Sequence, residues 1–423
     1  MEIHVVEQGE TVFSIALRYG VSAERIIRDN GLLPPYGLPV GLALLILFPE
    51  WVHRVAPGET LGAIAERYGI SVNALLRNNP PLTIETTLVP GEELVIAFRG
   101  EKQGSFLVNA YAYPYITDRL MMQVMPYLSS VIPFTYGFDS AGEVISLADE
   151  EILQIAEAYG IPPTMHLSTL NARGSFDSSA AERILTDTAL RQNLITNVIR
   201  IMVQKGYTAL DVDFEYLPPE YKYQYYEFLQ AMQIALTDRG FSLIVALAPK
   251  VSADQRGLLY EAHDYGLIGS AADLVFLMTY EWGYAYSPPM AVAPVDSVRK
   301  VVEYALSEIP REKILLGIPI YGYDWILPHE PGRAARSLSP EEAVSLAAER
   351  GAEIRYDPIS QEPYFYYSIG AEAHIVWFED VRSIRAKLDL AEEYGLAGVG
   401  YWHAGRAFPG NWSLLNAGYN IEG

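Results

Sequence analysis

Residues 207–216 read YTALDVDFEY, and this stretch decides the expected fold of most of the chain. Side chains alternate between the two faces of a strand, so Asp211, Asp213 and Glu215 share one face. Carboxyl groups this close raise each other's pKa, which can keep one of them protonated near neutral pH. We interpret the stretch as a buried strand that carries an acid-based active site; the alternative is a half-exposed strand with a solvated acidic face.

Seven more apolar stretches of strand length surround this one, with helical stretches between them. Eight such units over residues 104–423 indicate an α/β fold, a (β/α)8 barrel. A doubly wound open sheet is disfavoured because no Gly-rich phosphate loop follows the first strand. The longest gap predicts a small α+β insertion after strand 7, at about residues 325–376. The predicted strands are 106–112, 131–136, 164–169, 209–214, 243–248, 274–279, 314–320 and 398–402, and the main helices are 149–159, 180–205, 219–239 and 381–394.

The first hundred residues contain an internal repeat. Residues 4–11, HVVEQGET, match residues 53–60, HRVAPGET; the segment IAxRYG at 15–20 recurs at 64–69, and Asn30 recurs as Asn79. Each repeat is predicted as strand, helix, helix, strand, with Thr11 and Thr60 at helix N-caps. We place the repeats at residues 1–49 and 50–98. The polar residues 98–104 are interpreted as a linker, so that the repeats and the barrel fold as separable units.

These repeats resemble the LysM module, a βααβ domain. The resemblance implies binding of N-acetylglucosamine in peptidoglycan or chitin, in a shallow groove between the two strand-to-helix edges. The same recurring residues could instead hold the fold. The loop at 31–36 of the first repeat is unusually apolar and either binds weakly or packs on its neighbour. The candidate glycan contacts are Gly9, Thr11, Asn30, Gly58, Thr60 and Asn79.

Charge and composition exclude several kinds of partner. The net charge is −22 and no run of Lys or Arg stands out, which argues against nucleic acid and anionic membrane. No apolar run is long enough for a membrane span. The chain has no Cys, and its seven His show no metal-ligand spacing, so neither a metal nor a cofactor is expected. No secretion signal is recognisable at the start: either a leader has been removed or the protein reaches its substrate without ordinary export.

The segment LDVDFE at 210–215 resembles the D-x-x-D-x-D-x-E signature of family 18 glycoside hydrolases. Three further segments agree, namely LMTYE at 277–281, GIPIYG at 317–322 and GVGYW at 398–402. Within the family, the chain resembles the spore-cortex-lytic N-acetylglucosaminidases of endospore-forming bacteria, which pair two LysM modules with this barrel. That likeness rests on MTYEWGY at 278–284, PPMAVAP at 288–294 and VWFED at 376–380.

The family 18 resemblance implies a substrate-assisted mechanism with retention, an exception to the usual two-carboxylate scheme. Glu215 would protonate the leaving oxygen while the substrate's own acetamide attacks. Asp213 would orient the acetamide, Tyr280 would donate its hydroxyl to the acetamide oxygen, and Asp211 would support Asp213. Trp402 would stack under the sugar, unless it is a core residue at the barrel end. The remaining candidates, for which contact with sugar and packing both stay open, are Glu281, Met278, Asn109, Tyr111, Tyr321, Tyr323 and Asp324.

Two departures from the family pattern bear on activity. Thr208 replaces the first acid of the signature, and Glu281 stands where many chitinases have Asp. A family Asp at position 208 would add charge beneath Asp211 and Asp213. We therefore hypothesise that Thr208 tunes the pH profile without being essential.

The resulting functional hypothesis is a monomeric spore-cortex peptidoglycan hydrolase, an N-acetylglucosaminidase directed to glycan by its repeats and located in the spore or cell wall. Two alternatives remain at the level of sequence. One is a general chitinase with the same mechanism. The other is a glycan-binding family 18 barrel without activity.

Overall fold

The computed structural model describes residues 1–35, 37–171, 175–176, 178–257 and 259–422. Two small modules precede a large barrel, and each module contains two strands that pair antiparallel around two helices. The predicted βααβ repeat is thereby confirmed. The elements are β1 (Glu2–Val5), α1 (Val12–Tyr19), α2 (Ala23–Asn30), β2 (Ala43–Ile46), β3 (Pro49–Arg54), α3 (Leu61–Tyr68), α4 (Val72–Arg77) and β4 (Glu93–Phe98).

The recurring residues of the modules explain their helices. Thr11 and Thr60 are N-caps, whose hydroxyls accept hydrogen bonds from the backbone N–H of Ser14 and Ala63. Each first helix then ends at a glycine with left-handed backbone, as a helix C-terminus commonly requires. The tyrosine of each RYG segment contacts a buried histidine of the first strand, as in Tyr19 with His4, at 3.2 Å. These residues hold the fold.

The second part of the chain contains all eight predicted barrel strands. Most of them are one or two residues shorter than expected at the carboxyl end. A short hairpin, β7 with β8, follows the second barrel strand. In chain order the strands are β5 (Gly104–Ala112), β6 (Ser130–Pro133), β7 (Gly137–Phe138), β8 (Val144–Ile145), β9 (Thr164–Ser168), β10 (Ala209–Asp213), β11 (Ser242–Leu247), β12 (Leu274–Leu277), β13 (Ile314–Pro319), β14 (Gly322–Leu327), β15 (Arg336–Leu338), β16 (Arg355–Asp357), β17 (Glu362–Ile369), β18 (Glu372–Trp377), β19 (Gly398–Trp402) and β20 (Tyr419–Ile421).

The barrel strands pair in parallel in the order β6, β5, β19, β13, β12, β11, β10, β9. The ring closes between β6 and β9 through two isolated bridges, Val131 with Pro163 and Tyr136 with Leu167, and the backbone N–H of Tyr136 donates to the carbonyl oxygen of His166 at 3.0 Å. The predicted barrel is confirmed. Its interior is packed closely enough that a Cβ on Gly400 would lie 2.5 Å from the ring of Phe276.

Helices cover the outside of the barrel. One prediction is wrong: residues 180–205 are two helices, because the Asp187 side chain accepts the N–H groups of Ala189 and Leu190 and so begins a new helix. Short 3₁₀ turns lie at Met125–Tyr127, Pro219–Tyr221 and Arg311–Lys313, and the second of them replaces the start of the predicted helix 219–239. The helices are α5 (Asp118–Val124), α6 (Glu150–Tyr159), α7 (Ser178–Thr186), α8 (Thr188–Lys205), α9 (Lys222–Thr237), α10 (Tyr265–Ala271), α11 (Val295–Glu308), α12 (Pro340–Arg350), α13 (Val381–Tyr394) and α14 (Pro409–Gly418).

The insertion after the seventh barrel strand is a sheet with one helix. Its five strands lie in the order β15, β14, β18, β17, β16 and are antiparallel. Helix α12 begins with a capping box between Ser339 and Glu342, and its Ala343 and Ala347 are buried against the sheet.

Both modules are docked on the barrel part, contrary to the expectation of separable units. Most buried apolar residues of the first module share one cluster with the insertion, whereas its Ala43, Leu45 and Leu47 and most buried apolar residues of the second module belong to the barrel core. Gly41 approaches the insertion so closely that a Cβ would lie 1.8 Å from the carbonyl oxygen of Ile354. In the second module, Arg77 donates to the carbonyl oxygen of Pro126 at 2.8 Å, and Asn73 donates to that of Tyr159 at 3.0 Å. The polar residues 98–104 are therefore not the main connection.

Candidate active site

Four carboxyl groups meet where the barrel strands end; we call Asp211, Asp213, Glu215 and Glu281 the strand-end carboxyls. Asp211 and Asp213 lie on β10, Glu215 follows it, and Glu281 follows β12. Asp211 is fully buried and Asp213 is 8% exposed. The predicted alternation holds, because the intervening Phe214 points outward and stacks on two aromatic rings of α9. The barrel thus collects acids at the end where active sites form in this architecture.

Asp211 is held by Tyr111, whose hydroxyl donates to its Oδ2 at 2.7 Å. Burial raises the pKa of Asp211 to about 7, and the hydrogen bond from Tyr111 opposes this. Tyr111, a candidate sugar contact, is itself buried, so its visible role is to fix Asp211.

The other two acids of the strand hold protons more tightly than ordinary carboxyls. Burial, followed by the charges of Glu215 and Asp211, raises the pKa of Asp213 well above its usual range. Burial and then the charge of Glu281 raise the pKa of Glu215. Among the described residues, Oδ1 of Asp211 and Oδ1 of Asp213 are buried without a hydrogen-bond partner. Such atoms cost about 1–3 kcal/mol each, a cost that a ligand with a donor group can remove.

Tyr280 and Glu281 lie in the loop after β12, at the same end of the barrel. Tyr280 is packed against Gly317, where a Cβ would lie 3.0 Å from the tyrosine ring and 2.2 Å from the Leu277 carbonyl oxygen. Burial, with the nearby carboxyls, raises the pKa of Tyr280 far above its ordinary value, so its hydroxyl remains a hydrogen-bond donor. Glu281 accepts hydrogen bonds from Tyr321 at 2.5 Å and Tyr323 at 3.0 Å.

The backbone is strained directly after Glu215, the proposed acid, and directly after Tyr280, the proposed hydroxyl donor. Tyr216, directly after Glu215, has φ 56°, and Glu281, directly after Tyr280, has φ 67°. Side-chain-bearing residues seldom adopt this left-handed conformation, and where they do the site is often functional. In this chain the conformation turns the backbone just after the proposed acid and the proposed hydroxyl donor.

Trp402 and Met278 lie at the same end of the barrel as the strand-end carboxyls. Trp402 is half-buried at the end of β19, with its ring 5.4 Å from that of Tyr111 and 4.8 Å from that of Phe134. Met278 is also half-buried, at the end of β12. Both residues are therefore partly open to solvent.

The sequence analysis did not identify His166 and Thr135 as parts of this site. His166 is fully buried opposite Asp211 in the sheet, and its Nε2 lies 3.7 Å from an oxygen of Asp211 and of Asp213. Burial lowers the pKa of His166 to about 3, so it is neutral. Its Nδ1 lies 2.6 Å from the Thr135 hydroxyl. The alternation of polar Thr164, His166 and Ser168 with apolar residues along this strand was the signal that could have revealed it.

Two predicted substrate contacts lie elsewhere. Asn109 is 4% exposed and sits two residues before Tyr111 on β5, hence one layer deeper in the barrel. Asp324 lies inside the insertion, where it accepts hydrogen bonds from Tyr367 at 2.6 Å and from the His374 ring at 3.0 Å. Strand alternation explains the second error, since Tyr323 faces the cleft and its neighbour therefore faces away.

Thr208 lies at the amino end of β10, opposite to the active site. It is exposed, and its backbone N–H and hydroxyl both donate to the Pro163 carbonyl oxygen, at 3.0 and 3.2 Å. Three residues of strand separate it from Asp211, which is roughly 10 Å. The hypothesis that Thr208 tunes the pH profile is therefore not supported by its position.

A second group of buried acids lies between the insertion and the barrel; we call Glu362, Glu379 and Lys387 the buried ion cluster. Lys387 donates to Glu379 at 2.9 Å and lies 3.5 Å from Glu362. Glu362 also accepts the backbone N–H groups of Val292 and Ala293, at 2.9 and 2.7 Å. The cluster thus connects the insertion, α13 and the loop that begins at Glu281.

The cluster shares one positive charge between two acids. Burial raises the pKa of Glu379 to about 8, with Lys387 opposing this, and raises that of Glu362 as well. Burial would lower the pKa of Lys387, but the two glutamates outweigh it and raise it.

In the modules, Asn30 and Asn79 serve the fold rather than a ligand. The Asn79 amide donates to the carbonyl oxygens of Leu75 and Val95 and accepts the Val95 N–H, and Asn30 makes the equivalent three bonds. This corrects their assignment as glycan contacts, because the amide has no donor left.

The two modules differ in the groove predicted to bind glycan. In the second module, a cavity of about 520 Å³ lies between residues 58–62, which include Gly58 and Thr60, and a loop that holds Ile84, Thr86 and Thr87. In the first module, Gly9 and Thr11 keep the same backbone, but Leu32, Leu33 and their neighbours line a cavity of about 470 Å³ shared with Phe378 and Pro409. The apolar loop thus faces the barrel part; Tyr36 lies outside the described residues.

No helix in the described ranges combines the length and the apolar character needed to cross a membrane. Within the same ranges, no group of three or more His, Asp or Glu side chains is arranged to hold a metal ion.

Comparison with known families matches both parts of the chain. The model described as "Glycosyl hydrolases family 18" matches residues 171–407, and the LysM domain model matches residues 4–46 and 53–97. Both resemblances inferred from the sequence are thereby confirmed.

Individual proteins are also similar to this chain, and the first two named here match it over almost its full length. The "Cortical fragment-lytic enzyme" of Bacillus subtilis (strain 168) is 38% identical, with 100% of this chain and 99% of that protein covered. The crystal structure of the spore cortex-lytic enzyme SleL of Bacillus megaterium QM B1551 is 35% identical with a TM-score of 0.84, covering 99% of this chain and 98% of that one. A chitinase of Chromobacterium violaceum ATCC 12472 is 26% identical with a TM-score of 0.69, covering 74% of this chain and 98% of that one.

Proposed function

Because the chain belongs to the family 18 glycosyl hydrolases, we propose that it hydrolyses N-acetylglucosamine linkages in spore-cortex peptidoglycan, with retention and with help from the substrate's own acetamide. Full-length similarity to proteins named for cortical fragments and spore cortex lysis supports this substrate. The modules would hold the glycan, and the site of action would be the spore or another cell wall.

The observation that carries the proposal is a pair of unequal acids, Asp213 at the end of β10 and Glu215 just after it. Glu215 is half-buried with a raised pKa, as a general acid needs, and Asp213 presents a buried oxygen without a partner. In the proposed reaction Glu215 gives its proton to the leaving glycosidic oxygen. The acetamide oxygen attacks the anomeric carbon, and Asp213 accepts the acetamide N–H and stabilises the positive charge that develops.

The surrounding residues supply position and polarity. Tyr280 would donate its hydroxyl to the acetamide oxygen, and Asp211, fixed by Tyr111, would steady Asp213. Trp402 and Met278 would support the sugar ring. The attack of the acetamide oxygen on the anomeric carbon gives a cyclic oxazolinium intermediate. Water then opens this intermediate, with Glu215 as base, so that the anomeric configuration is retained.

Hydrolysis of chitin oligomers is a second candidate, favoured by the similarity to a chitinase at 26% identity. The deciding experiment is turnover of purified cortex fragments and of N-acetylglucosamine oligomers by the full chain, with products identified by mass spectrometry and Glu215→Gln as the inactive control. Cleavage of cortex fragments at N-acetylglucosamine supports the proposal. Preference for the oligomers would favour the chitinase, and binding without turnover would favour a glycan-binding barrel.

A further inference from the structure

Arg406 lies in the loop between β19 and α14. It follows β19 by four residues, and its backbone N–H donates to the carbonyl oxygen of His403 at 3.3 Å. The ring of His403 meets that of Tyr113 edge to face at 4.9 Å, and Tyr113 lies 5.8 Å from Trp402. The loop that carries Arg406 is therefore next to the residue proposed to support the sugar.

The guanidinium group of Arg406 is held in place by the insertion. Its Nη2 donates to the Ser337 hydroxyl at 3.1 Å. Ser337 lies directly opposite Tyr323 in the sheet, and Tyr323 donates to Glu281. Arg406 thus sits beside the cleft wall that Tyr323 forms, with 29% of its side chain exposed.

The charge of Arg406 acts on both sides of this end of the cleft. Burial lowers the pKa of His403 to about 4, and Arg406 lowers it further. Burial and Tyr115 raise the pKa of Tyr113 to about 12, and Arg406 opposes that rise. It opposes the raised pKa of Tyr323 in the same way. These effects agree with a cation placed between His403 and Tyr113 on one side and Tyr323 on the other.

An anionic substrate needs such a cation. The chain carries a net charge of −22, and four carboxyls crowd the strand ends. Chitin is neutral, whereas muramyl sugars of peptidoglycan can present a carboxylate, either on a free lactyl group or, where the lactyl group is amide-linked to a peptide, on that peptide. We propose that Arg406 binds a carboxylate on the muramyl sugar next to the N-acetylglucosamine being cleaved, and so selects peptidoglycan over chitin. This inference rests on the proposed function.

Arg406 retains donors for this purpose. Glu342 lies 3.5 Å from it, but that glutamate is 49% exposed and its Oε2 also accepts the Ser339 N–H at 2.6 Å as part of a helix cap. A guanidinium has five N–H donors in a fork that fits a carboxylate. One bond to Ser337 and a loose ion pair therefore leave room for a bidentate contact.

The test compares Arg406→Gln, Arg406→Lys and a matched control, Arg336→Gln. The control Arg336→Gln removes the same charge as Arg406→Gln, and Arg336 lies 3.9 Å from the same Glu342. Because Arg336 is adjacent to Ser337 in β15, its side chain lies on the other face of that strand. Four substrates of equal length are used: N-acetylglucosamine oligomers, and alternating glycans with free lactyl groups, with peptides, or with all carboxyls amidated.

We expect Arg406→Gln to lower kcat/KM about 10- to 100-fold on the carboxylate-bearing glycans, the range for a hydrogen bond to a charged group. Values on the oligomers and the amidated glycan should stay within about two-fold, Arg406→Lys should be intermediate, and Arg336→Gln should match wild type. A loss confined to the peptide-bearing glycan would assign the carboxylate to the peptide. Equal losses on all substrates, or none on any, would overturn the proposal.

Binding in a Glu215→Gln background separates this inference from the proposed function. If wild type turns over none of the glycans, the proposed function fails. Calorimetric affinities still decide the role of Arg406, because Arg406→Gln should weaken binding of the free-lactyl glycan and leave oligomer binding unchanged. Unchanged affinity for both ligands would contradict it.

Discussion

Two groups of acids in this protein, the buried ion cluster and the strand-end carboxyls, differ in their partners. The buried ion cluster contains Lys387, and its Glu362 also receives two backbone N–H groups. The contacts described for the strand-end carboxyls are with tyrosines, a neutral His166 and each other, and the buried Oδ1 atoms of Asp211 and Asp213 have neither a hydrogen-bond partner nor a cation beside them among the described residues. Oε1 of Glu379 also lacks a hydrogen bond, but it lies 2.9 Å from the Lys387 ammonium. Buried charge is costly unless it is paired. The paired group therefore reads as structural, and the unpaired group as a site that awaits a ligand.

The largest expected effect separates the two groups by activity. Glu215→Gln removes the acidic proton and keeps the size of the side chain, so kcat should fall about 10²–10⁴-fold, as for loss of a general acid. The thermal midpoint at neutral pH should not fall, since Glu215 has no hydrogen-bonded ion partner among the described residues. Steady-state kinetics and thermal unfolding measure both, and near-wild-type turnover would remove Glu215 from the role of acid.

Lys387→Met should do the reverse, because it leaves two buried acids without their cation. We expect a loss of about 3–5 kcal/mol in the free energy of unfolding at neutral pH. Without Lys387, the folded pKa values of Glu362 and Glu379 lie above the unfolded values, so the deficit should shrink as the pH falls toward 5. Denaturant titrations at several pH values measure this.

Lys300→Met is the matched control for Lys387→Met. Its ion pair with Asp296 is exposed, at 3.6 Å, and should contribute less than about 1 kcal/mol. If both lysine variants lose the same stability, the contrast between paired and unpaired acids has no energetic basis.

Asp211→Asn should have a smaller effect on stability and in the stabilising direction. Burial raises the folded pKa of Asp211 to about 7, above its unfolded value, so its favourable contribution is present at acidic pH and declines as the pH rises to 7. The amide oxygen can still accept from Tyr111. The variant should match wild type near pH 4 and exceed it at pH 7 in denaturant titrations; lower stability at pH 7 would show that the charge is satisfied.

Thr208→Ala should have the smallest effect. Thr208 is exposed at the far end of β10, so we expect kcat/KM within about two-fold and a change in stability within about 0.5 kcal/mol. The pH–rate profile of this variant should overlay wild type, whereas Asp213→Asn should lose orders of magnitude at every pH. A shifted acidic limb in Thr208→Ala would restore the tuning role inferred from the sequence.

Alternation and repetition made much of the fold and part of the site predictable. The barrel strands are short apolar runs at regular spacing, and the faces of Asp211 and Phe214 follow from strand geometry alone. The same rule, had it been applied to β14, separates Tyr323 from Asp324. Repetition was less reliable for function, because Asn79 recurs to bind the closing strand.

The features that were missed depend on contacts between distant segments. His166 and Thr135 join the site only through sheet register and a loop. Asp187 interrupts a helix because its side chain competes for backbone N–H groups, which periodicity does not register. The docking of the modules depends on small residues such as Gly41, whose close approach to Ile354 no local pattern announces.

That docking determines what the modules can contribute. A module on a flexible tether raises the effective concentration of substrate throughout the volume that its linker allows. A module packed on the barrel, as Arg77 and Asn73 hold the second one, instead presents its glycan from one direction. The distance from the groove of the second module to Glu215 is then fixed. We expect this distance to set a minimum length for a glycan strand that is bound by the module and cut by the barrel at the same time.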